Sequence, residues 1–264
     1  MKLQPRFFPT MLFVLSFLFG QALHAATGQA IVVDQSIPYD GTAANLAAQL
    51  KSAGYTVTIT PATVPASLTG VNQVWDLRYD QELSNAEITT YTAYLAAGGS
   101  LFLTGEHVGF MKRNNSIKAF IAALGGGSIT YSAPLFNQTV QAPFNSPNSV
   151  TAITFRDCYG TTTAGTGSFI TKDASNVGAA IVFGSGSLSA ATAGALIVVW
   201  DVNFLDNART PAESALSGNL ISYFAARVAS TPTRSYNTPV LTDWGLILLG
   251  AMFGLTSTLF LMKR

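Results

Sequence analysis

The chain has 264 residues, a net charge of +1 and only 10% charged side chains, which leaves no basic surface with which to hold DNA or RNA. Its one cysteine, Cys158, excludes an internal disulfide, so the fold must rest on its own apolar core. The length between the two apolar termini suits one domain.

The amino terminus reads as an export signal. Lys2 and Arg6 form a basic start, Phe7 to Leu23 is mostly apolar, and Leu23-His24-Ala25-Ala26 places a small residue for signal peptidase at Ala25 or Ala26. Residues 1–26 are therefore expected to be a signal peptide, with an uncleaved anchor as the alternative; either way the body is exported.

A strand–helix rhythm follows. Ala30 to Asp34 is a β-branched run, Thr42 to Ala53 places Leu46, Leu50 and Ala53 on one helical face, and Gly54 stops it. Tyr55 to Thr60 alternates as a strand, and Gln73 to Leu77 is the next. Ser84-Asn85-Ala86-Glu87 fits a capping box opening a helix that carries Ile88, Tyr91 and Leu95 and ends at Gly98-Gly99. Ser100 to Thr104 reads as a buried strand. Ile117, Phe120, Ile121 and Leu124 then mark an amphipathic helix that runs out at Gly125-Gly126-Gly127.

The second half is richer in strands, with Ser128 to Ser132, Ser149 to Phe155, Ser168 to Lys172 and Gly178 to Phe183 set between Gly, Asn, Pro and Ser clusters. The stretch from Ala133 to Asn148 reads as a lid or a surface loop. Ala195 to Asp201 is a central strand, and Thr210-Pro211-Ala212-Glu213 is a second capping box, opening a helix with Leu216, Leu220, Ile221 and Phe224 inward. The expected fold is α/β: a mostly parallel sheet flanked by helices, with added strands in the second half. The exported domain spans residues 27–229, and residues 230–237, polar and without periodicity, are a linker.

Ligands of such a sheet sit at the carboxyl ends of its strands. The residues there are Asp34; Asp76, Arg78 and Asp80; Thr104, Gly105, Glu106 and His107; and Asp201, Asn203 and Asp206. Glu106, His107, Asp34 and Asp201 are the candidate catalytic residues if the protein is an enzyme, since two carboxylates across a cleft can perform glycoside hydrolysis. The same groups, with Asp80, could approach a divalent ion, but one imidazole is a thin ligand set and no metal or cofactor is expected. Capping of neighbouring backbone is the preferred role for Glu106 and His107. Lys112-Arg113-Asn114-Asn115 is a small basic and polar patch after the His107 turn that could hold an anionic or sugar group, with a solvated loop as the preferred reading, and Cys158 reads as a packed or loop thiol.

The carboxyl-terminal residues 238–264 are Thr238-Pro239-Val240-Leu241-Thr242-Asp243-Trp244-Gly245, a charge-free apolar run to Met262, and Lys263-Arg264. Roughly 18 such residues suffice for a transmembrane helix, and the basic pair is expected to stay cytoplasmic. The order Pro239-x-Leu241-x-acid-Trp244-Gly245, apolar run, basic end resembles the IPTL-CTERM protein-sorting domain of Gram-negative bacteria, from which it departs at Thr238, Val240, Thr242 and Asp243. That resemblance implies recognition by an exosortase-type membrane protease, in cells that make exopolysaccharide. An ordinary tail anchor, with Trp244 at the membrane interface, is the alternative.

Gly98 to His107 is similar to the strand and turn carrying the nucleophile in class I glutamine amidotransferase-like domains, a flavodoxin-like family, as are Asp34 and Leu46-Leu50-Gly54-Tyr55 to its opening. The resemblance covers residues 30–125 and implies a flavodoxin-like body. Where the family has Gly-x-Cys-x-Gly, this chain has Gly105-Glu106-His107-Val108-Gly109, and thioester chemistry needs a thiolate beside its base, so glutaminase activity is not expected. The leading expectation is a non-catalytic binding or structural protein of the cell envelope. The tail resemblance links it to exopolysaccharide or surface-matrix assembly, with the membrane, the protease and polysaccharide as partners. A hydrolase acting on a glycan or related envelope substrate is the alternative.

Overall fold

Apolar residues alternate between the two faces of each central strand, so the chain builds one sheet with a separate core on either side. The structure, a computed structural model, describes residues 28–35, 41–134 and 136–230. The chain divides into two compact units, Met1–Val228 and Ala229–Arg264, and the fold below is that of the first. The segments expected as signal peptide and sorting tail, and most of the expected linker, lie outside the described residues.

In chain order, β1 (Gly28–Asp34), α1 (Thr42–Ser52), β2 (Tyr55–Pro61), β3 (Gln73–Asp76), α2 (Asn85–Ala96), β4 (Ser100–Thr104) and α3 (Met111–Ala123) are followed by β5 (Tyr131–Ser132), β6 (Asn137–Val140), β7 (Ala152–Thr154), β8 (Gly160–Thr161), β9 (Ser168–Lys172), β10 (Ala180–Phe183), β11 (Ala195–Val199) and α4 (Pro211–Ser230). Nine strands form the main sheet in the order β2-β1-β3-β4-β11-β10-β9-β6-β7, while β5 and β8 pair separately. The pairs β1–β2, β1–β3, β3–β4 and β4–β11 are parallel. From β11 outward, β10, β9, β6 and β7 are all antiparallel.

This corrects the expected architecture. A mostly parallel, flavodoxin-like sheet is replaced by a mixed nine-stranded sheet with four α-helices among the described residues. The physical reason lies in the second half, where short strands joined by turns leave no crossover helix between them, and parallel pairing requires one. The stretch expected as a lid holds β6, whose Val140 pairs with Thr171 inside the sheet. No helix among the described residues is long and apolar enough to cross a membrane; the carboxyl-terminal run expected to do so falls outside them.

One core packs Val32, Trp75, Phe102, Ile197 and Val199 of the strands against Leu46 and Leu50 of α1 and Leu216, Leu220 and Phe224 of α4. The other packs Val33, Val74, Leu101, Leu103 and Val198 against Tyr91 and Leu95 of α2 and Ile117, Phe120 and Ile121 of α3. Two capping boxes set the helix starts. Ser84 Oγ accepts from the Glu87 amide while Glu87 returns to the Ser84 amide, and Thr210 and Glu213 do the same for α4.

Candidate functional site

The non-sequential order β3-β4-β11 brings the end of β4 beside the end of β11, and with it Glu106 beside Asp201. Glu106 is buried; its Oε1 accepts from the His107 amide at 2.9 Å and its Oε2 from the Val202 amide at 3.2 Å. Asp201 is fully buried. Its Oδ1 accepts from the Asn203 amide at 2.8 Å and its Oδ2 from the Arg156 amide at 2.9 Å. His107 Nδ1 accepts from the Gly109 amide at 3.1 Å, starting a short 3-10 turn, and its Nε2 lies 3.6 Å from Asp157 Oδ2 on the solvent side.

The electrostatics follow from burial. Desolvation, with the nearby Asp201 charge, lifts the Glu106 carboxyl from 4.5 to about 8. Desolvation also lifts Asp201 from 3.8 to about 6, although amide hydrogen bonds from Arg156 and Asn203 work against the rise. Because the Asp201 charge bears on Glu106, the two carboxyls titrate as a coupled pair. The Cys158 thiol, buried next to them, is pushed well above its ordinary range by burial and then by Asp201. It is inert by that criterion rather than nucleophilic.

Asn114 holds the turn from below. Its Oδ1 accepts from the Glu106 amide at 3.0 Å and its Nδ2 donates to the Glu106 carbonyl at 2.6 Å. Gly105 must be small here: a Cβ would stand 2.3 Å from Trp200 Cδ1 and 2.6 Å from Asn114 Oδ1. Gly105→Ala is therefore expected to destabilise the domain by about 1–3 kcal/mol through overpacking, measurable as a lower urea midpoint at constant m-value.

Not every expected residue joins this site. Asp34 ends β1, which β3 separates from β4, and Asp80 engages the Gln35 amide side chain. Asp76 and Arg78 form a separate buried cluster with Arg113 and Tyr91. The polar run at Lys112-Arg113-Asn114-Asn115 is corrected: it lies in α3, and Arg113 and Asn114 are fully buried. Arg113 Nε donates to the Thr104 carbonyl at 3.0 Å. Arg156 and Asp157, which carried no expected role, are brought in by the β7–β8 loop. Arg156 grips Asp206 with two bonds of 2.8 Å and also donates to the Asn203 carbonyl. No local signal in the sequence marks that pairing.

Nor do the described cavities open on the carboxyl pair. One of about 700 Å³ lies between α1 and α4, lined by Asn45, Gln49, Arg209, Ser214 and Gly218 among others. Another of about 220 Å³ sits against α2 beside Leu68 and Tyr94. Among the described residues, no group of three or more His, Cys, Asp or Glu side chains is placed to hold a metal ion. What the arrangement does chemically is tie backbone together, with each carboxylate oxygen of Glu106 and Asp201 taken by an amide.

No protein-family model and no curated protein matches the sequence. Among solved structures, the chain is similar to the mmIFT52 N-terminal domain, with a TM-score of 0.58 at 10% identity, covering 74% of this chain and 97% of that one. An exo-beta-1,4-mannosidase, Op5Man5 from Opitutaceae bacterium strain TAV5, gives a TM-score of 0.45 at 12% identity over 76% of this chain and 36% of that one, too low for any argument. Identity this low speaks to fold alone. The fold shared with the mmIFT52 N-terminal domain thus stands in place of the flavodoxin-like expectation.

Proposed function

We propose that this chain is an exported envelope protein with a non-catalytic binding or structural role. The supporting observation is that every carboxylate oxygen of Glu106 and Asp201, and His107 Nδ1, accepts a backbone amide, while neither described cavity opens on the pair. A general acid or nucleophile has to reach its substrate, and here both carboxyls are buried and each oxygen already holds one of the turns that follow β4 and β11. The localisation rests on sequence: a basic and apolar amino terminus sends the body out, and the apolar carboxyl-terminal run ending in Lys263-Arg264 keeps it at the membrane. The resemblance of Pro239, Leu241, Trp244 and Gly245 to the IPTL-CTERM pattern links it to exopolysaccharide or surface-matrix assembly and to cleavage by an exosortase-type protease.

Mass spectrometry of the mature protein tests the tail. Loss of the segment after the Trp244-Gly245 region is expected, and a mature form that keeps Lys263-Arg264 leaves only a plain anchor. A second reading, a hydrolase acting on a glycan or related envelope substrate, is favoured by the proton that the Glu106–Asp201 pair retains near neutral pH. Glu106→Gln and His107→Ala are expected to leave the surface-matrix phenotype unchanged. Its loss in both variants, with folding intact by circular dichroism, would transfer the assignment to the hydrolase.

A further inference from the structure

The main sheet has two edges, and they are unlike. At one end β7 has three residues, too short to template another strand. At the other end β2 has seven, all in register with β1 from Gly28↔Tyr55 to Asp34↔Pro61 with no bulge. Among the described residues no strand pairs with the outer edge of β2. Natural sheets blunt such edges with lysine, bulges, internal proline or a cover. Within Tyr55-Thr56-Val57-Thr58-Ile59-Thr60-Pro61 there is no charge and no glycine, and proline stands only at the last position.

The strand is also a chemical palindrome about Thr58. On one face lie Tyr55, Val57, Ile59 and Pro61, with Tyr55 and Val57 against the α1/α4 core and Ile59 46% exposed. On the other face lie three threonines, of which Thr56 and Thr58 are exposed. A twofold axis normal to the sheet keeps each face on its own side, so antiparallel partners must have the same parity and the axis must pass midway between one residue and its own copy. Placed at Thr58, it sets Thr58 against its own copy, Thr56 against Thr60, and Val57 against Ile59. Those are the threonine–threonine and β-branched pairs that stabilise antiparallel strands, and no like charges meet. An unrelated strand would match this pattern only by chance, whereas a second copy matches it by construction.

We propose that two copies of this chain associate through antiparallel pairing of β2 with β2 about Thr58, joining their main sheets into one. The association is isologous, closes at two, and covers an edge that would otherwise recruit strands indiscriminately.

The test uses the full chain, purified in a mild detergent and measured by sedimentation with and without edge variants. Wild type is expected as a dimer. Thr58→Lys, which faces its own copy across the axis, is expected to weaken dimerisation at least tenfold while leaving the thermal midpoint of the monomer unchanged. Thr58→Cys is expected to form a disulfide-linked dimer on mild oxidation, and Thr56→Cys, which faces Thr60, is not. The background is low because Cys158, the only native cysteine, is buried. A monomeric wild type overturns the proposal, as does a dimer that Thr58→Lys leaves intact, since the apolar tail would then account for it. Equal cross-linking of the two cysteine variants overturns it too.

Discussion

Asp76→Ala is expected to destabilise the domain by about 3–5 kcal/mol, because it leaves buried Arg113 with no carboxylate partner and buried Arg78 with Glu87 alone. The Asp76 side chain is fully buried. Arg78 Nε donates to its Oδ1 at 2.9 Å and Arg78 Nη2 to its Oδ2 at 2.7 Å, while Arg113 Nη2 stands 3.2 Å from Oδ2 and Tyr91 Oη donates to it at 3.0 Å. Arg78 and Arg113 are themselves 2% and 0% exposed, so neither guanidinium can turn to water when its partner is removed. The charge sits where β3, β4, α2 and α3 meet: Arg113 also bonds the Thr104 carbonyl, and Arg78 reaches Glu87 of α2 at 2.6 Å. Its loss should therefore loosen the α2/α3 side of the sheet as a whole. Burial raises the Asp76 carboxyl, but Arg113 and Arg78 more than reverse this and hold it at about 2, against 3.8 ordinarily. A lowered folded-state value means that the stabilisation is full above pH 3.8 and is lost as pH falls through 2. Wild type should thus keep this cluster at pH 3. Urea unfolding of wild type and Asp76→Ala at pH 5 is the measurement, and a difference below about 1 kcal/mol would mean that the arginines find other partners.

How much of this was legible in the sequence depends on the range of the interaction involved. The α1 stripe, the Ser84 and Thr210 capping boxes and the buried strands at Ser100 and Ala195 are local patterns of spacing, and they recur in the structure at nearly the expected bounds. The burial of Arg113 and Asn114 was also legible in principle. They lie four and three residues before Ile117 on the stripe that continues through Phe120 and Ile121, so periodicity put them inward while their polarity argued for solvent. Strand order is another matter. That β11 returns between β4 and β10 is fixed by long-range pairing, and nothing local to Ala195–Val199 specifies its neighbours. The same holds for Arg156-Asp157-Cys158, which reach the carboxyl pair only because a loop between two short strands passes over it. The mixed character of the sheet has the same cause: β9 and β10 read as strands from their own residues, but their antiparallel direction beside β11 is set by long-range pairing, and β6, four residues long, carries too little alternation to be told from a loop.

Stability should reach its maximum near pH 4–5 and fall to about pH 8, unlike the broad neutral optimum of most domains. The Glu106 carboxyl is raised from 4.5 to about 8 and the Asp201 carboxyl from 3.8 to about 6, in both cases chiefly by burial. A raised folded-state value means that the native state binds protons more tightly than the unfolded chain. The stabilisation is therefore full below the unfolded values and is lost as pH rises through 6 and then 8. For Glu106 alone the displacement corresponds to on the order of 5 kcal/mol, with the loss shared between the two because they titrate as a pair. Acid does not offset this, since Asp76 already contributes fully above pH 3.8. The informative variant is Glu106→Gln, in which one carboxylate oxygen becomes an amide that faces a backbone N–H. Its absolute stability should fall at every pH, but the slope between about pH 6 and 8 should largely disappear, and slope is what distinguishes a titrating carboxyl from a merely packed one. Thermal midpoints taken across pH 3 to 9 would decide it. A wild-type midpoint that is flat or rises from pH 5 to pH 9 would show that the pair ionises freely, and with it the view of Glu106 as a buried, proton-bearing cap would fall.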